Sequence, residues 1–152
     1  MSLPSLSLDS PLGTLTLVEQ KGAITALVWG GKSVGTPTQL LIEAKRQLAA
    51  YFAGKRKFFE LPLEPEGSIL EQRVWALMAE IPYGETRSYG ALAQELDLTA
   101  REVGVACARN RLPILLPCHR VIGADGDLHG YSGEGGIETK RKLLQMEGAL
   151  LL

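Results

Sequence analysis

Cys118 and His119 are the residues best suited to covalent chemistry, and they stand side by side in the segment "PCHRVIG". The chain has only two cysteines and two histidines, so this adjacency uses one of each. A histidine can take the proton of a thiol, and the resulting thiolate is a nucleophile. A cysteine among aliphatic residues is, however, more often a small packing residue. The pair therefore leaves two interpretations open, a nucleophilic site and ordinary core packing.

The order of these two residues limits how they can cooperate. We expect an extended segment here, on which neighbouring side chains point to opposite sides. A direct hydrogen bond from Cys118 to His119 is then awkward, and a water would have to carry the proton. A carboxylate elsewhere in the chain would be needed to orient the imidazole. The sequence pattern alone does not select that carboxylate.

Positive charge is concentrated around the cysteine. Between residues 101 and 120, four arginines against one glutamate leave a local excess of +3; the arginines are Arg101, Arg109, Arg111 and Arg120. Such a run is usually a solvated face, but a basic surface here would attract phosphate and favour a thiolate. The whole chain carries a net charge of −1, so nothing global indicates a nucleic-acid partner.

The elements that must position these residues divide the chain in two. The first part has short alternating stretches, which predict an antiparallel meander over 5–10, 14–20 and 24–30. Helical spacing over 38–54 and a possible last strand within 57–67 follow. We predict a small α/β domain over 1–61, a linker over 62–67 and a second domain over 68–152.

The second part has helical periodicity from Ser68 onwards. Two capping boxes predict helix starts, at Ser68 with Glu71 and at Thr99 with Glu102. Ser88 is a suitable cap for a helix between them. Two short helices joined by a tight connection at 97–98 are typical of a helix-turn-helix, although many unrelated helix pairs have the same pattern.

Composition excludes several classes of protein. Cysteines at 107 and 118 alone cannot form a disulfide framework, which favours a reducing compartment. The N-terminal segment lacks the charged and apolar regions of a signal peptide. No apolar run reaches the length that spans a bilayer. We therefore expect a cytoplasmic protein with no membrane partner.

Several motifs together carry a resemblance to a known family. They are, in chain order, "IPYGETRSYGALA", "REVGVACARN", "PCHRVIG", "GYSGEGG" and "KRKLLQMEG". Through them, residues 67–148 resemble the O6-alkylguanine-DNA alkyltransferase family, while the first part is similar in outline through "SPLGTLTL". The resemblance implies a ribonuclease H-like small α/β domain, followed by a mainly α domain with a helix-turn-helix.

The resemblance also implies an activity. Such a protein binds duplex DNA containing O6-alkylguanine, flips the damaged base into a pocket, and moves the alkyl group irreversibly to its own cysteine. It would act once, as a monomer and without a cofactor. Since the first part of the chain has no cysteine, we expect no structural zinc there.

Roles for individual residues follow from the matched motifs. The resemblance implies Cys118 as the alkyl acceptor, His119 as the base acting through a water, and Glu147 as the carboxylate that orients His119. It implies Asn110 as a brace for the turn carrying the cysteine, and Tyr89 as a donor to the departing guanine. The remaining implied contacts are Arg101 in the vacated base stack, Gly104 and Ala106 against DNA, and Tyr131, Ser132 and Val121 in the guanine pocket.

Three other functions remain open. An alkyltransferase-like protein would recognise damage without transfer, but such proteins replace the cysteine that this chain has at Cys118. A thiol hydrolase using Cys118, His119 and Glu147 would release product repeatedly. A helix-turn-helix regulator without chemistry would prefer one undamaged DNA sequence. Each implied residue also has an ordinary structural reading, such as helix capping for Asn110.

Overall fold

The computed structural model describes residues 3–128, 130–131 and 135–150. Two compact units make up the chain, Met1–Glu66 and Gly67–Leu152. The first contains a small antiparallel sheet with a helix, and the second is mainly helical. The predicted fold class, a small α/β domain followed by a mainly α domain, is confirmed.

The first unit is built on a three-stranded meander. Its strands are β1 (Ser5–Ser10), β2 (Gly13–Gln20) and β3 (Ala23–Trp29), paired antiparallel in the order β1-β2-β3. Leu15 and Leu17 point to the same face of β2 and are completely buried. Helix α1 (Gln39–Phe52) contacts all three strands and buries Leu41 and Leu48. Thr38 caps α1 by accepting a hydrogen bond from the Leu41 amide at 3.1 Å.

The strand predicted within 57–67 is wrong. Only Leu63 pairs with the sheet, through an isolated parallel bridge to Ile24. The Ile24 amide donates to the Pro62 carbonyl at 2.8 Å, and the Glu64 amide donates to the Ile24 carbonyl at 3.0 Å. Prolines at 62 and 65 have no amide hydrogen to continue a ladder, which limits the pairing to one residue. Pro62 and Glu64, the first and third residues of the predicted linker, are thus hydrogen-bonded to β3. The linker over 62–67 stays a prediction.

The second unit contains four α-helices, a short parallel strand pair and one 3₁₀ turn in its described residues. The elements are α2 (Ile69–Met78), β4 (Arg87–Ser88), α3 (Tyr89–Leu96), α4 (Ala100–Ala108), a 3₁₀ helix (Cys118–Arg120), β5 (Val121–Ile122) and α5 (Ile137–Met146). Both predicted capping boxes are present, at the starts of α2 and α4. Ser88 caps α3 as predicted.

A three-residue connection, residues 97–99, joins α3 to α4. Asp97 takes the left-handed conformation, with φ 58° and ψ 47°, and ends α3. Thr99 then caps α4 by accepting a hydrogen bond from the Glu102 amide at 3.1 Å. The two helices contact each other, as expected for the predicted helix-turn-helix.

The strand pair β4–β5 brings two distant segments together. Arg87 pairs with Val121 and Ser88 with Ile122 in parallel. The first residue of α3, Tyr89, therefore lies close to the segment that follows Cys118. Of the helices in the described residues, none has the length and apolar character needed to cross a membrane.

Candidate active site

A cavity of about 750 Å³ in the second unit has Cys118 in its wall. This volume falls in the range of small-molecule sites, roughly 300–1,000 Å³. Glycine and alanine form much of the lining, and the large side chains there are those of Tyr89, Arg101 and Tyr131. The lining residues are Tyr89, Gly90, Ala100, Arg101, Gly104, Cys107, Ala108, Cys118, Gly123, Ala124, Gly130 and Tyr131.

Cys118 lies in a 3₁₀ turn, so the extended segment predicted here is wrong. The Arg120 amide closes the turn by donating to the Pro117 carbonyl at 3.0 Å. Cys118 is buried, with 4% of its surface exposed, and it lines the cavity. No direct hydrogen bond joins Cys118 and His119 within the described residues, and the transfer of the proton through a water stays a prediction.

Asn110 holds the loop that leads to the cysteine. Its Nδ2 donates to the Leu116 carbonyl at 2.9 Å, and its Oδ1 accepts from the Leu112 amide at 2.9 Å. These bonds tie the end of α4 to the residues immediately before Pro117. The side-chain amide also contacts Cys118. This is the location expected for a residue that braces the turn.

His119 and Glu147 form a fully buried pair. Nε2 of His119 lies 2.8 Å from Oε2 of Glu147, and neither side chain is exposed. Burial lowers the pKa of His119, and the bond to Glu147 acts in the opposite direction. The imidazole is therefore neutral near physiological pH. Within the described part of the chain, Nδ1 of His119 has no hydrogen-bond partner, so this nitrogen is placed to accept a proton.

The surroundings of Cys118 act on its thiol in two directions. Burial raises the pKa of Cys118, so the thiol keeps its proton in the resting protein. Hydrogen bonding from Asn110, the positive charge of Lys140 and the hydroxyl of Tyr131 lower the pKa. These three groups would stabilise a thiolate at the moment it forms.

Lys140 is a buried residue that sequence reasoning missed. Its Nζ donates to the carbonyls of Leu128 at 2.6 Å, Val121 at 2.7 Å and Gly130 at 3.3 Å, and to the Tyr89 hydroxyl at 3.2 Å. Burial lowers the pKa of Lys140 to about 8. The signal was available in the helical spacing of α5, where positions three, four and seven residues further on are all buried: Leu143, Leu144 and Glu147.

Tyr89 lines the cavity with its hydroxyl held by Lys140. The Lys140 ammonium also lies 5.5 Å from the centre of the Tyr89 ring. Burial raises the pKa of Tyr89 to about 12, so the hydroxyl keeps its proton and can donate it. Arg101 and Gly104 reach the same cavity from α4, and Arg101 is exposed.

Two residues with predicted contacts are buried in the structure. Ala106 is only 1% exposed and its carbonyl accepts from the Trp75 indole at 2.8 Å, so it lies in the core of the second unit, and its contact with DNA stays a prediction. Val121 is fully buried and does not line the cavity; its carbonyl instead holds Lys140. Tyr131 does line the cavity. Ser132 lies outside the described residues.

The predicted basic surface is smaller than the sequence indicated. Arg120 is buried and paired with Glu147, and Arg109 pairs with Glu71 at 3.2 Å. Arg101, Arg109 and Arg111 are exposed, so burial removes only Arg120 from the predicted surface. Over residues 3–128, 130–131 and 135–150, no group of three His, Cys, Asp or Glu side chains is arranged to hold a metal ion.

Comparison with known proteins matches the whole of this architecture. The model of the 6-O-methylguanine DNA methyltransferase DNA-binding domain matches residues 70–149, and that of the ribonuclease-like domain of the same proteins matches residues 6–65. A methylated-DNA–protein-cysteine methyltransferase from Methanosarcina acetivorans is 40% identical over 151 residues, covering 93% of this chain and 96% of that protein. The namesake from Mycobacterium tuberculosis is 43% identical over 150 residues, covering 93% of this chain and 90% of its own.

A solved structure has the same fold. The crystal structure of Mycobacterium tuberculosis OGT in complex with DNA superposes with a TM-score of 0.85 at 42% identity, covering 95% of this chain and 92% of that chain. Both family models and these relatives extend over both units. The chain therefore belongs to the 6-O-methylguanine DNA methyltransferase family.

Proposed function

We propose that this chain repairs O6-alkylguanine in duplex DNA by transferring the alkyl group to Cys118. The observation that carries the proposal is a single arrangement: a buried thiol in the wall of a cavity large enough to admit a base, next to the buried His119–Glu147 pair. Relatives that are 40% and 43% identical are named methylated-DNA–protein-cysteine methyltransferases, and one similar structure was solved with DNA.

Alkyl transfer begins in this proposal with the proton of Cys118. It passes through a water to Nδ1 of His119, which is neutral and accepts it, while Glu147 stabilises the imidazolium from Nε2. The electron pair of the thiolate forms a sulfur–carbon bond with the alkyl group. The carbon–O6 bond breaks, and its electrons stay on the guanine. The restored base finally carries the proton that the thiol lost.

The departing guanine needs a donor, and Tyr89 is placed to supply it. Its hydroxyl keeps its proton because burial raises its pKa to about 12. Lys140 donates to the same oxygen at 3.2 Å, which strengthens the hydroxyl as a donor. Asn110, Lys140 and Tyr131 meanwhile stabilise the attacking sulfur. The site thus supports negative charge on both the nucleophile and the leaving group.

DNA binding is assigned in this proposal to the helix-turn-helix, α3 and α4. A base inside a duplex cannot reach a buried thiol, so the damaged nucleotide must be flipped out of the stack. Arg101 and Gly104 lie on α4 where it lines the cavity, so a duplex bound along α4 would meet both residues. Arg101 would occupy the space that the flipped base leaves.

We also propose that the protein works in the cytoplasm, as a monomer and without a cofactor. Both cysteines are free, and an acceptor thiol requires a reducing compartment. A thiol hydrolase is the second candidate, because a buried cysteine, histidine and carboxylate set also supports acyl transfer. A damage-recognition protein without transfer is disfavoured by the presence of Cys118.

The mass of the intact protein tests the proposal directly. After incubation with an oligonucleotide containing O6-methylguanine, the protein should gain the mass of one methyl group, and peptide mapping should place it on Cys118. An oligonucleotide with unmodified guanine serves as the control. A protein whose mass stays unchanged, while the damaged DNA is bound, would support the damage-recognition alternative.

A further inference from the structure

Arg120 makes three hydrogen bonds and one aromatic contact inside the second unit. Its Nε donates to Oε1 of Glu147 at 2.8 Å and its Nη2 to Oε2 at 3.0 Å. Nη1 donates to the Ile81 carbonyl at 2.7 Å. The guanidinium lies 5.8 Å from the centre of the Tyr83 ring. With 7% of its surface exposed, Arg120 contributes almost nothing to the protein surface.

The bidentate contact of Arg120 with Glu147 determines which protonation state His119 can adopt. Both carboxylate oxygens of Glu147 accept from Arg120, and Oε2 also accepts from Nε2 of His119. A buried carboxylate needs a positive partner. Because Arg120 supplies that charge, His119 can bind Glu147 as a neutral imidazole. Its proton then sits on Nε2, and Nδ1 has a lone pair.

We propose that Arg120 is a positioning residue for alkyl transfer: its bidentate pair with Glu147 keeps His119 neutral in the resting protein and leaves Nδ1 able to take the Cys118 proton. The role of Arg120 in alkyl transfer rests on the proposed function. The effect of Arg120 on the protonation of His119 involves only Arg120, Glu147 and His119.

Three further titratable groups interact with the His119–Glu147 pair: Lys140, Tyr83 and Tyr131. Lys140 on α5 adds positive charge and lowers the pKa of His119, as Arg120 does, while burial is the largest cause of the lowering. Burial raises the pKa of the Tyr83 hydroxyl, and the charge of Glu147 acts in the same direction. Glu147 is the one group among these that favours the imidazolium.

Removal of the Arg120 guanidinium should favour the imidazolium form of His119 over the neutral imidazole. Without Arg120, the buried charge of Glu147 would be paired by a proton on His119, so an imidazolium would persist to higher pH. An imidazolium cannot accept the Cys118 proton. The rate of transfer would then fall at low pH and recover as His119 loses its proton.

An NMR titration of His119 measures this effect without any alkyl substrate. The chain has only two histidines, so a His129→Gln background leaves His119 as the sole imidazole. In that background we expect a neutral imidazole protonated at Nε2 down to about pH 6.5 or below. Arg120→Met should raise the titration midpoint by about one pH unit or more, and Arg120→Lys should raise it less.

A double variant that lacks both buried charges controls for a loss of folding in Arg120→Met. In the double variant Arg120→Met/Glu147→Gln neither charge is buried, and His119 should again titrate low. An unchanged midpoint in both Arg120→Met and Arg120→Lys would overturn the proposal. Should Arg120→Met fail to fold, Arg120→Lys and the double variant decide: equal midpoints in those two proteins and the parent would overturn it as well.

The pH dependence of transfer to an O6-methylguanine oligonucleotide links the effect to function. The acid limb of the rate should move upward in Arg120→Lys and Arg120→Met, together with the NMR midpoint. An equal loss of rate at every pH would mean a purely structural role and would overturn the positioning role. Absence of transfer in the unaltered protein would contradict the proposed function instead, while the NMR midpoints still report on Arg120.

Discussion

Nε2 of His119 lies 2.8 Å from Oε2 of Glu147, although the two residues are 28 positions apart in the chain. His119 belongs to the 3₁₀ turn, and Glu147 caps the end of α5. Packing of α5 against the 3₁₀ turn makes the pair. The acceptor site therefore depends on the folded second unit. Substitutions at this site can test alkyl transfer and DNA binding independently of each other.

Cys118→Ala should abolish alkyl transfer and retain binding to alkylated DNA. The substitution removes the nucleophile but keeps the other walls of the cavity and the exposed Arg101. Cys107→Ala is the matched control, because it removes the second thiol lining the same cavity and should leave transfer intact. Transfer assays and gel shifts on the same oligonucleotide check both variants. Methyl transfer that persists in Cys118→Ala would rule out the assignment of the acceptor.

Lys140→Met should slow transfer strongly. The ammonium lowers the pKa of Cys118 and donates to Tyr89. Each unit by which the Cys118 pKa rises corresponds to about a tenfold loss of thiolate. Lys142→Met, at an exposed position on the same helix, is the control. Single-turnover rates for the two variants should differ by about tenfold or more; equal rates would remove Lys140 from the account.

Arg101→Ala should slow repair of duplex DNA much more than reaction with free O6-methylguanine base. Base flipping costs a few kcal/mol, and only the duplex substrate incurs that cost. Arg111→Ala is the control, since Arg111 is exposed but does not line the cavity. Rates with both substrates are compared for the two variants. Equal slowing of both substrates by Arg101→Ala would exclude a role in the vacated stack.

Alkaline pH should remove part of the stability that buried Cys107 provides. Burial raises the pKa of Cys107 to about 12 from an ordinary 9.0. Between these values the unfolded chain has lost the thiol proton that the folded chain keeps, so stability falls as pH rises. The stability difference between the wild type and Cys107→Ala should shrink by about 1.4 kcal/mol from about pH 8 to about pH 10. Urea unfolding measures it, and a constant difference would contradict the burial argument.

Local signals in the sequence are sufficient to predict where helices of the second unit begin. The capping boxes that begin at Ser68 and Thr99 involve partners three residues away, so the sequence predicts them without knowledge of the fold. The same holds for the antiparallel meander of the first unit, which follows from alternation. The strand within 57–67 failed because Pro62 and Pro65 limit its pairing to one residue.

Local sequence patterns cannot predict contacts between residues that are far apart in the chain. Arg120 was counted with a basic surface, because nothing near it in the chain reveals its partner Glu147. Lys140 was missed although its neighbours in helical spacing are buried. The 3₁₀ turn at Cys118 also depends on a brace from Asn110 to the Leu116 carbonyl. The roles of the site residues remain predictions that the variants above test.

The number of guanines restored per protein molecule tests the central claim most directly. Alkylation of Cys118 produces a thioether, which has no carbonyl or phosphoryl centre for water to attack. His119 and Glu147 can move protons but cannot break a carbon–sulfur bond. With O6-methylguanine DNA in excess, we expect the yield to level off at one restored guanine per protein molecule, matched by one methyl group on Cys118. A yield that keeps rising past one would contradict the account and favour a hydrolase.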